Sequence, residues 1–445
     1  MKKVFPKKNI VIRNILSNLK GEGVLEDTPY SFPYTNIGDE VIFEERGRGK
    51  RKHFVVSAII RKKEIQPKCS HFTHCGGCAG QHFSYEEQFE LKTNFYKEKI
   101  FNEFSITPIL ISANKEYNYR NRMDFAVFPG KIVGLHQAGN FRKIIDIEHC
   151  HLQNDFANNE LTKFKNTLHN FPEIIYNRKT EEGFLKYITF RRGVFSSDNI
   201  AILTFVKGFE NTNEFTKLKS AILQSLESKN IVFCFNRKKA EVSASGEFIA
   251  IRGNHFYEEI LFEKVFKIPF DSFFQPNPKG FLPILQFIKD KIKSEKKILV
   301  DLFCGSGFFS RIFGENFLQI YGFDFTESSI QEGAKILKEE FPEKHIQLKC
   351  TNLFSVQIDF FERMQIPDKS LLILDPPRNG AGKNLSTIIR DSNFEEIFYI
   401  SCNPKTQLED LKIITESFQL KEFILTDPYP QTPHIESIAY LQKKI

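Results

Sequence analysis

Val300-Asp301-Leu302-Phe303-Cys304-Gly305-Ser306-Gly307 is the stretch on which the fold turns. An apolar run meets an acid and then a glycine turn that opens a helix, the pattern of a strand whose C-terminal end faces a ligand. Dinucleotide folds share that pattern, and two details move it toward a mononucleoside. Asp324 ends the next strand about twenty residues on, where a carboxylate can take both hydroxyls of a ribose. The third glycine of a dinucleotide fingerprint is missing, with Arg311 and Ile312 near its place. A cofactor without a pyrophosphate fits better, and S-adenosylmethionine is the obvious one. Asp301 is expected to face that ligand from the protein side, and Cys304 to be a packing residue.

Outward from this stretch, helix and strand alternate from about Pro276 to the end. Helices are expected over 280–293 and 328–341, strands over 297–302, 319–323, 345–349, 370–374 and 397–400, and two last strands around Phe423 and Ile438. Alternating units of this kind make a parallel sheet covered on both faces, an α/β domain. Asp375-Pro376-Pro377-Arg378 ends one central strand, and its prolines stiffen a turn that leaves Asp375 pointing into the cleft. Ser401-Cys402-Asn403-Pro404 ends another and opens a helix. A lone cysteine is more often a buried structural thiol, but beside a methyl donor a thiolate has a use. C5 of uracil is too weak a nucleophile to take a methyl group, and addition of a thiolate at C6 turns C5 into an enolate carbon that is strong enough. The C5 proton must then leave, which needs a base, and Glu436 in Tyr429-Pro430-Gln431-Thr432-Pro433-His434-Ile435-Glu436 is the candidate.

Upstream lies a different chemistry. Cys69, Cys75 and Cys78 are clustered around Gly76-Gly77, with Cys150 far downstream. Four thiolates suit zinc or an iron–sulfur cluster, and three clustered with one remote tilts the reading to 4Fe–4S. His71, His74 and His82 are expected to pack or hydrogen-bond, since thiolates already fill the site, and Cys234 to be a core thiol. A helix over 85–100 precedes an antiparallel α+β domain with strands over 122–127, 143–147, 185–190, 200–206 and 231–236 and one helix near 213–228.

The first 63 residues alternate short apolar runs with turns, as in a small β-barrel. They hold 14 Lys/Arg against 7 Asp/Glu, which is the whole formal excess of +7. Arg46, Arg48, Lys50, Arg51 and Lys52 fall in one turn, and a basic block at one end suits a polyanion rather than a uniformly basic chain. At 445 residues the chain needs two or three domains. It has neither an apolar run of spanning length nor a secretory leader, so a cytoplasmic protein with no membrane partner is expected. Eight cysteines in such a length do not make a disulfide framework.

Taken in order, Cys69…Cys75-Gly76-Gly77-Cys78 with Gln81-His82, Asp301-Leu302-Phe303-Cys304-Gly305-x-Gly307, Asp375-Pro376-Pro377-Arg378, Ser401-Cys402-Asn403-Pro404 and His434-Ile435-Glu436 resemble the uracil-C5 RNA methyltransferase family. The match is best with its iron–sulfur branch, which acts on 23S ribosomal RNA, and it covers nearly the whole chain. The resemblance implies a TRAM-like RNA-binding barrel over 1–63, a central α+β domain with the cluster site over 64–270, and a class I (Rossmann-like) methyltransferase domain over 271–445. It implies Cys402 as nucleophile and Glu436 as base. Gln275, Phe303, Asp324, Asn352 and Asp375 would line the S-adenosyl-L-methionine pocket, and Cys69, Cys75, Cys78 and Cys150 would hold the 4Fe–4S cluster. Phe308 stands where members often have Asn, Tyr429 where Phe is usual, and Phe398 where an aliphatic residue is usual.

The partner expected is RNA, 23S ribosomal RNA ahead of transfer RNA, and the protein is expected to act as a monomer. The target uridine must leave its stack, which costs least in loops and bulges. Two rivals stand against this reading: a non-catalytic RNA-binding assembly factor, and an amino-group methyltransferase that uses an Asp-Pro-Pro motif but no thiolate.

Overall fold

The computed structural model of the chain describes residues 5–47, 53–292, 298–364 and 370–445. Of the expected basic turn, Arg48, Lys50, Arg51 and Lys52 lie outside the described residues.

Along the strands of the C-terminal sheet, successive apolar residues serve two cores. Leu299, Leu371, Ile373, Phe398 and Ile400 pack on one face with Phe281, Ile284 and Ile288 of the helix Pro278–Lys291. Val300, Leu372, Leu374, Ile397 and Tyr399 pack on the other with Leu385, Leu408 and Leu411. Strands that are apolar at every position are buried on both faces, which is why the runs read as continuous rather than alternating. We number these strands β1 (Ile298–Leu302), β2 (Gln319–Asp324), β3 (His345–Cys350), β4 (Leu371–Leu374), β5 (Glu396–Ser401), β6 (Phe418–Thr426) and β7 (Glu436–Lys443). Their order is β3-β2-β1-β4-β5-β7-β6, with β7 antiparallel to both neighbours. The order reverses at β1, so the crevice at the carboxyl ends of β1 and β4 is where a ligand binds in an open sheet.

A short strand from far upstream, Ile109–Ile111, closes the β6 edge in parallel. The helix before it, Tyr85–Phe104, begins with a complete capping box between Ser84 and Glu87 and inserts Ile100 into the second core. The central sheet has seven strands, and two helices, Asp155–Leu168 and Asn213–Ser225, contribute to its core. It departs from the expected antiparallel pattern in one place. Asn199–Val206 and Asn230–Asn236 run parallel, because the helix Asn213–Ser225 carries the chain back between them. The helix Asp155–Leu168 is additional to the expected elements; Asn154 caps it, and Ala157, Leu161, Phe164 and Leu168 form its buried stripe.

At the front, two three-stranded antiparallel sheets share a core of Ile10, Ile12, Ile15, Tyr30, Phe32, Val41 and Phe43. Thr28–Pro33 is a strand although it carries two prolines, which its edge position tolerates. Among the described residues no helix is long and apolar enough to cross a membrane.

Candidate active site

The last residue of β5, Ser401, pairs antiparallel with Ser437 of β7. One step beyond that pair, Cys402 and Glu436 face each other at the sheet rim. On the other side of β5, β4 ends at Leu374 and delivers Asp375 to the same rim. Pro404 at the first helical position both starts the helix Pro404–Ile414 and keeps Asn403 out of the helical region, so the strand stops and Cys402 projects. The two loops are tied together. Asn403 Nδ2 and Thr406 Oγ1 both donate to the carbonyl of Arg378, at 2.9 and 3.2 Å. Ser437 Oγ donates to the Ser401 carbonyl at 3.2 Å and braces β5, which leads into Cys402, against β7, which begins at Glu436.

These side chains line one cleft of about 880 Å³, together with Gln275, Phe303, Asp324 and Asn352. All seven residues singled out for catalysis and cofactor binding are therefore brought together. Asp324 is aimed by two backbone donors, Gly305 N–H at 3.0 Å on one oxygen and Thr326 N–H at 2.9 Å on the other. Gly305 sits at φ +56° and Gly307 at φ +82°, left-handed geometry that favours glycine and that bends the chain beneath the ligand space. Asn352 Oδ1 accepts from Phe354 N–H at 3.2 Å. A volume of this size, with a fixed carboxylate at the β2 end and aromatic faces from Phe303 and Phe354, fits a nucleoside cofactor.

The expectation for Asp301 is corrected. Asp301 is fully buried and does not line the cleft; its carboxylate accepts from the N–H and hydroxyl of Ser310 at 3.1 and 2.7 Å, holding the helix Phe308–Phe313. The departures from the family pattern have uses of their own. Tyr429 donates its hydroxyl to Gln275 Oε1 at 3.3 Å, orienting an amide that a phenylalanine could not reach. Phe308 joins a ring cluster with Phe266, Phe274 and Phe281, and Phe398 stacks on Tyr440. Sequence reasoning missed Tyr119, Arg120, Phe273 and Phe325 on the cleft wall, the last two strongly exposed rings. None of the four carries a spacing signal that points to the site.

Charge at the rim is crowded. Burial, then the nearby Glu436 and Asp375, push the Cys402 thiol up to about 11, and Arg378 pulls against them. Burial and Asp375 raise Glu436 well above the usual carboxylate range, again with Arg378 opposing. Asp375 is raised to about 7, by burial and then by Asp301. Both groups are thus held toward their protonated forms, with Arg378 as the opposing cation. Arg378→Gln removes the one opposing cation, so both groups should rise further. A base must be ionised to act, so the ascending limb of kcat/KM against pH should move to higher pH. A limb that stays in place would show that Arg378 does not set these values.

The loop from β6 to Glu436 is held by the helix Tyr85–Phe104. Lys92 and Asp427 form a fully buried ion pair at 2.8 Å, and Lys92 Nζ also reaches the Tyr429 carbonyl at 3.3 Å. Gln88 Oε1 accepts from Gln431 N–H, and its amide donates to Gln431 Oε1, each at 2.9 Å. Ala79 N–H, directly after Cys78, donates to the Gln431 carbonyl at 2.7 Å. Lys92→Met leaves Asp427 buried without its cation and should cost about 3–5 kcal/mol in denaturant unfolding. Pairing that change with Asp427→Leu should restore much of the loss.

Cys69, Cys75, Cys78 and Cys150 are all free thiols lining one small cavity. Burial drives Cys75 to about 11 and Cys78 to about 12, with smaller upward contributions from the neighbouring cysteines. Four thiols around one void are the donor set that a closed cluster takes. Among the described residues, no group of three or more His, Cys, Asp or Glu is arranged to hold a metal ion.

A glycine turn beside an acid-tipped second strand, with a thiol and a carboxylate lining the same cleft, is the site of a transferase with a nucleoside cofactor. The model of the tRNA (Uracil-5-)-methyltransferase family matches residues 84–444, and the chain belongs to that family, the S-adenosylmethionine-dependent RNA (uracil-C5) methyltransferases. It is 44% identical over 437 residues to an uncharacterized RNA methyltransferase of Leptospira interrogans, spanning 97% of this chain and 96% of that one. It is 28% identical over 437 residues to the tRNA (uracil(54)-C(5))-methyltransferase of Pyrococcus abyssi, spanning 97% and 99%. The crystal structure of the Pyrococcus abyssi enzyme with S-adenosyl-L-homocysteine superposes with a TM-score of 0.77 at 25% identity, over 98% of this chain and all of that one.

Proposed function

We propose that the chain methylates C5 of a uridine in structured RNA through a covalent bond between Cys402 and C6 of the uracil, with Glu436 removing the C5 proton. The observation that carries this reading is the shared cleft: Cys402 and Glu436 line the same space as Asp324, Asn352 and Gln275. Cys402 gives its proton to solvent as its sulfur adds to C6, and the electron pair moves to C5. S-adenosylmethionine, when bound, supplies an electrophilic methyl group to that carbon. Glu436 then takes the C5 proton, the returning electron pair expels the thiolate, and the thiolate takes a proton back from solvent. Asp324 is assigned to the ribose hydroxyls of the cofactor, Phe303, Asn352 and Gln275 to its surroundings, and Asp375 to an N–H of the cofactor or of the uracil.

In domain terms, 1–63 is proposed as a TRAM-like RNA-binding barrel, 64–270 as the central domain with the cluster site, and 271–445 as the methyltransferase. A 4Fe–4S cluster on Cys69, Cys75, Cys78 and Cys150 is supported by the four free thiols around one cavity. Protein purified without oxygen should then carry about four irons per chain with acid-labile sulfide. Cys78→Ser should lose most of that iron, and an iron-free wild type would remove the cluster from this account.

For the target, 23S ribosomal RNA is proposed on the strength of the cysteine pattern. A second reading, transfer RNA, is favoured by the full-length similarity to the Pyrococcus abyssi enzyme. Mapping 5-methyluridine in ribosomal and transfer RNA from cells with and without the gene separates the two. Loss of the mark from 23S ribosomal RNA supports the first, loss from transfer RNA the second, and no loss from either overturns both.

A further inference from the structure

A second cavity of about 390 Å³ opens beside the cleft, and Tyr119 and Arg120 line both. Its wall gathers four cations from three separate stretches of chain: Lys115 and Arg120, Arg192, and Lys279. Among the described residues none of the four takes part in an ion pair. Arg120 carries a buried Nε without a hydrogen-bond partner. The Arg192 guanidinium lies 5.4 Å from the Phe156 ring and the Lys279 ammonium 5.6 Å from the Phe195 ring, contacts that fix the heads and leave N–H groups available. Asp427 is the one acid on this wall, and Lys92 already neutralises it at 2.8 Å.

The neighbouring cleft is mixed in charge. Asp324, Asp375 and Glu436 face it together with Arg378 and the shared Arg120, so a phosphodiester there would meet carboxylates as well as cations. An RNA strand that sends one base into a cleft holding three carboxyl groups places its adjoining phosphates best where cations outnumber acids, and the cavity beyond Arg120 meets that need. We propose that this cavity is a phosphodiester subsite for the strand immediately flanking the target uridine. Arg120 stands at the junction, and Arg192 and Lys279 hold the backbone further along. The proposal rests on RNA being the substrate and not on which RNA it is. Such a subsite positions the strand without reading its sequence.

The test uses the full-length protein and a labelled single-stranded oligouridylate, with binding followed across a salt series. The double variant Arg192→Ala/Lys279→Ala should bind more weakly than wild type, with a log Kobs against log salt slope shallower by about 1.4, at about 0.7 for each phosphate no longer neutralised. The charge-keeping pair Arg192→Lys/Lys279→Arg should recover most of the slope. Unchanged affinity for S-adenosyl-L-homocysteine in both variants shows that they fold. An unchanged slope in the alanine variant, or wild-type binding indifferent to salt, overturns the subsite. In parallel, wild type is given the same oligomer containing 5-fluorouridine, whose fluorine cannot leave as a proton does. An adduct at Cys402 with an unchanged slope leaves the covalent chemistry standing and removes the subsite. A shifted slope with no adduct does the reverse.

Discussion

Cys402→Ala is expected to abolish methyl transfer, a fall on the order of 10⁴-fold or more, while S-adenosyl-L-homocysteine binding and RNA binding persist. The reason is electronic. Without a sulfur on C6, C5 of uracil has no negative charge with which to take the methyl group, and nothing else in the cleft can supply it. Cys304 is buried behind the glycine turn, and Cys350 ends the edge strand β3. The readout is transfer of a labelled methyl group to RNA, with a denaturing gel run beside it. Substantial turnover by the alanine variant would sink the covalent mechanism and favour an amino-group methyltransferase, which needs no thiolate. An inactive wild type with intact RNA binding would favour an assembly factor.

Glu436→Gln is expected to act in the opposite place, after the sulfur–carbon bond has formed. Turnover should fall about 10²–10⁴-fold, the range for loss of a general base. A protein–RNA complex stable to denaturant should accumulate instead. The electrostatics favour this outcome. The charge of Glu436 is one of the groups raising the Cys402 thiol, so a neutral amide of the same shape makes the thiolate easier to form even as it removes the proton acceptor. Formation is helped while resolution fails. Asp375 is the control, since it shares the cleft and its carboxyl is raised to about 7. If Glu436→Gln turns over normally and Asp375→Asn traps the complex, the base is Asp375 and the assignment must move.

Much of this site is legible along the chain because it sits at strand ends, where local signals are strong. The apolar runs before Asp324, Asp375 and Cys402 announce buried parallel strands, and glycine or proline close after them announces that the chain turns. What fails does so for physical reasons. Asp301 has the right place in the motif, but its carboxylate is drawn inward by Ser310 and never meets the cleft. Thr28–Pro33 hides as a strand behind two prolines that only an edge can carry. The parallel pair in the central sheet follows from a crossover helix that, along the chain alone, looks like an insertion in an antiparallel domain.

The order of the motifs, their residue types and the αβ alternation were enough by themselves to point to an α/β methyltransferase fold, to S-adenosylmethionine as its cofactor, and to Cys402 and Glu436 as residues of one cleft. Only the tertiary structure decided what encloses them. Tyr119 and Arg120 come to the cleft wall, Ile109–Ile111 comes to the sheet edge, and Gln88 comes to Gln431, 343 residues away. Periodicity records which face of an element is buried, whereas a contact between distant segments is set by how whole elements pack and leaves no repeating mark on either one.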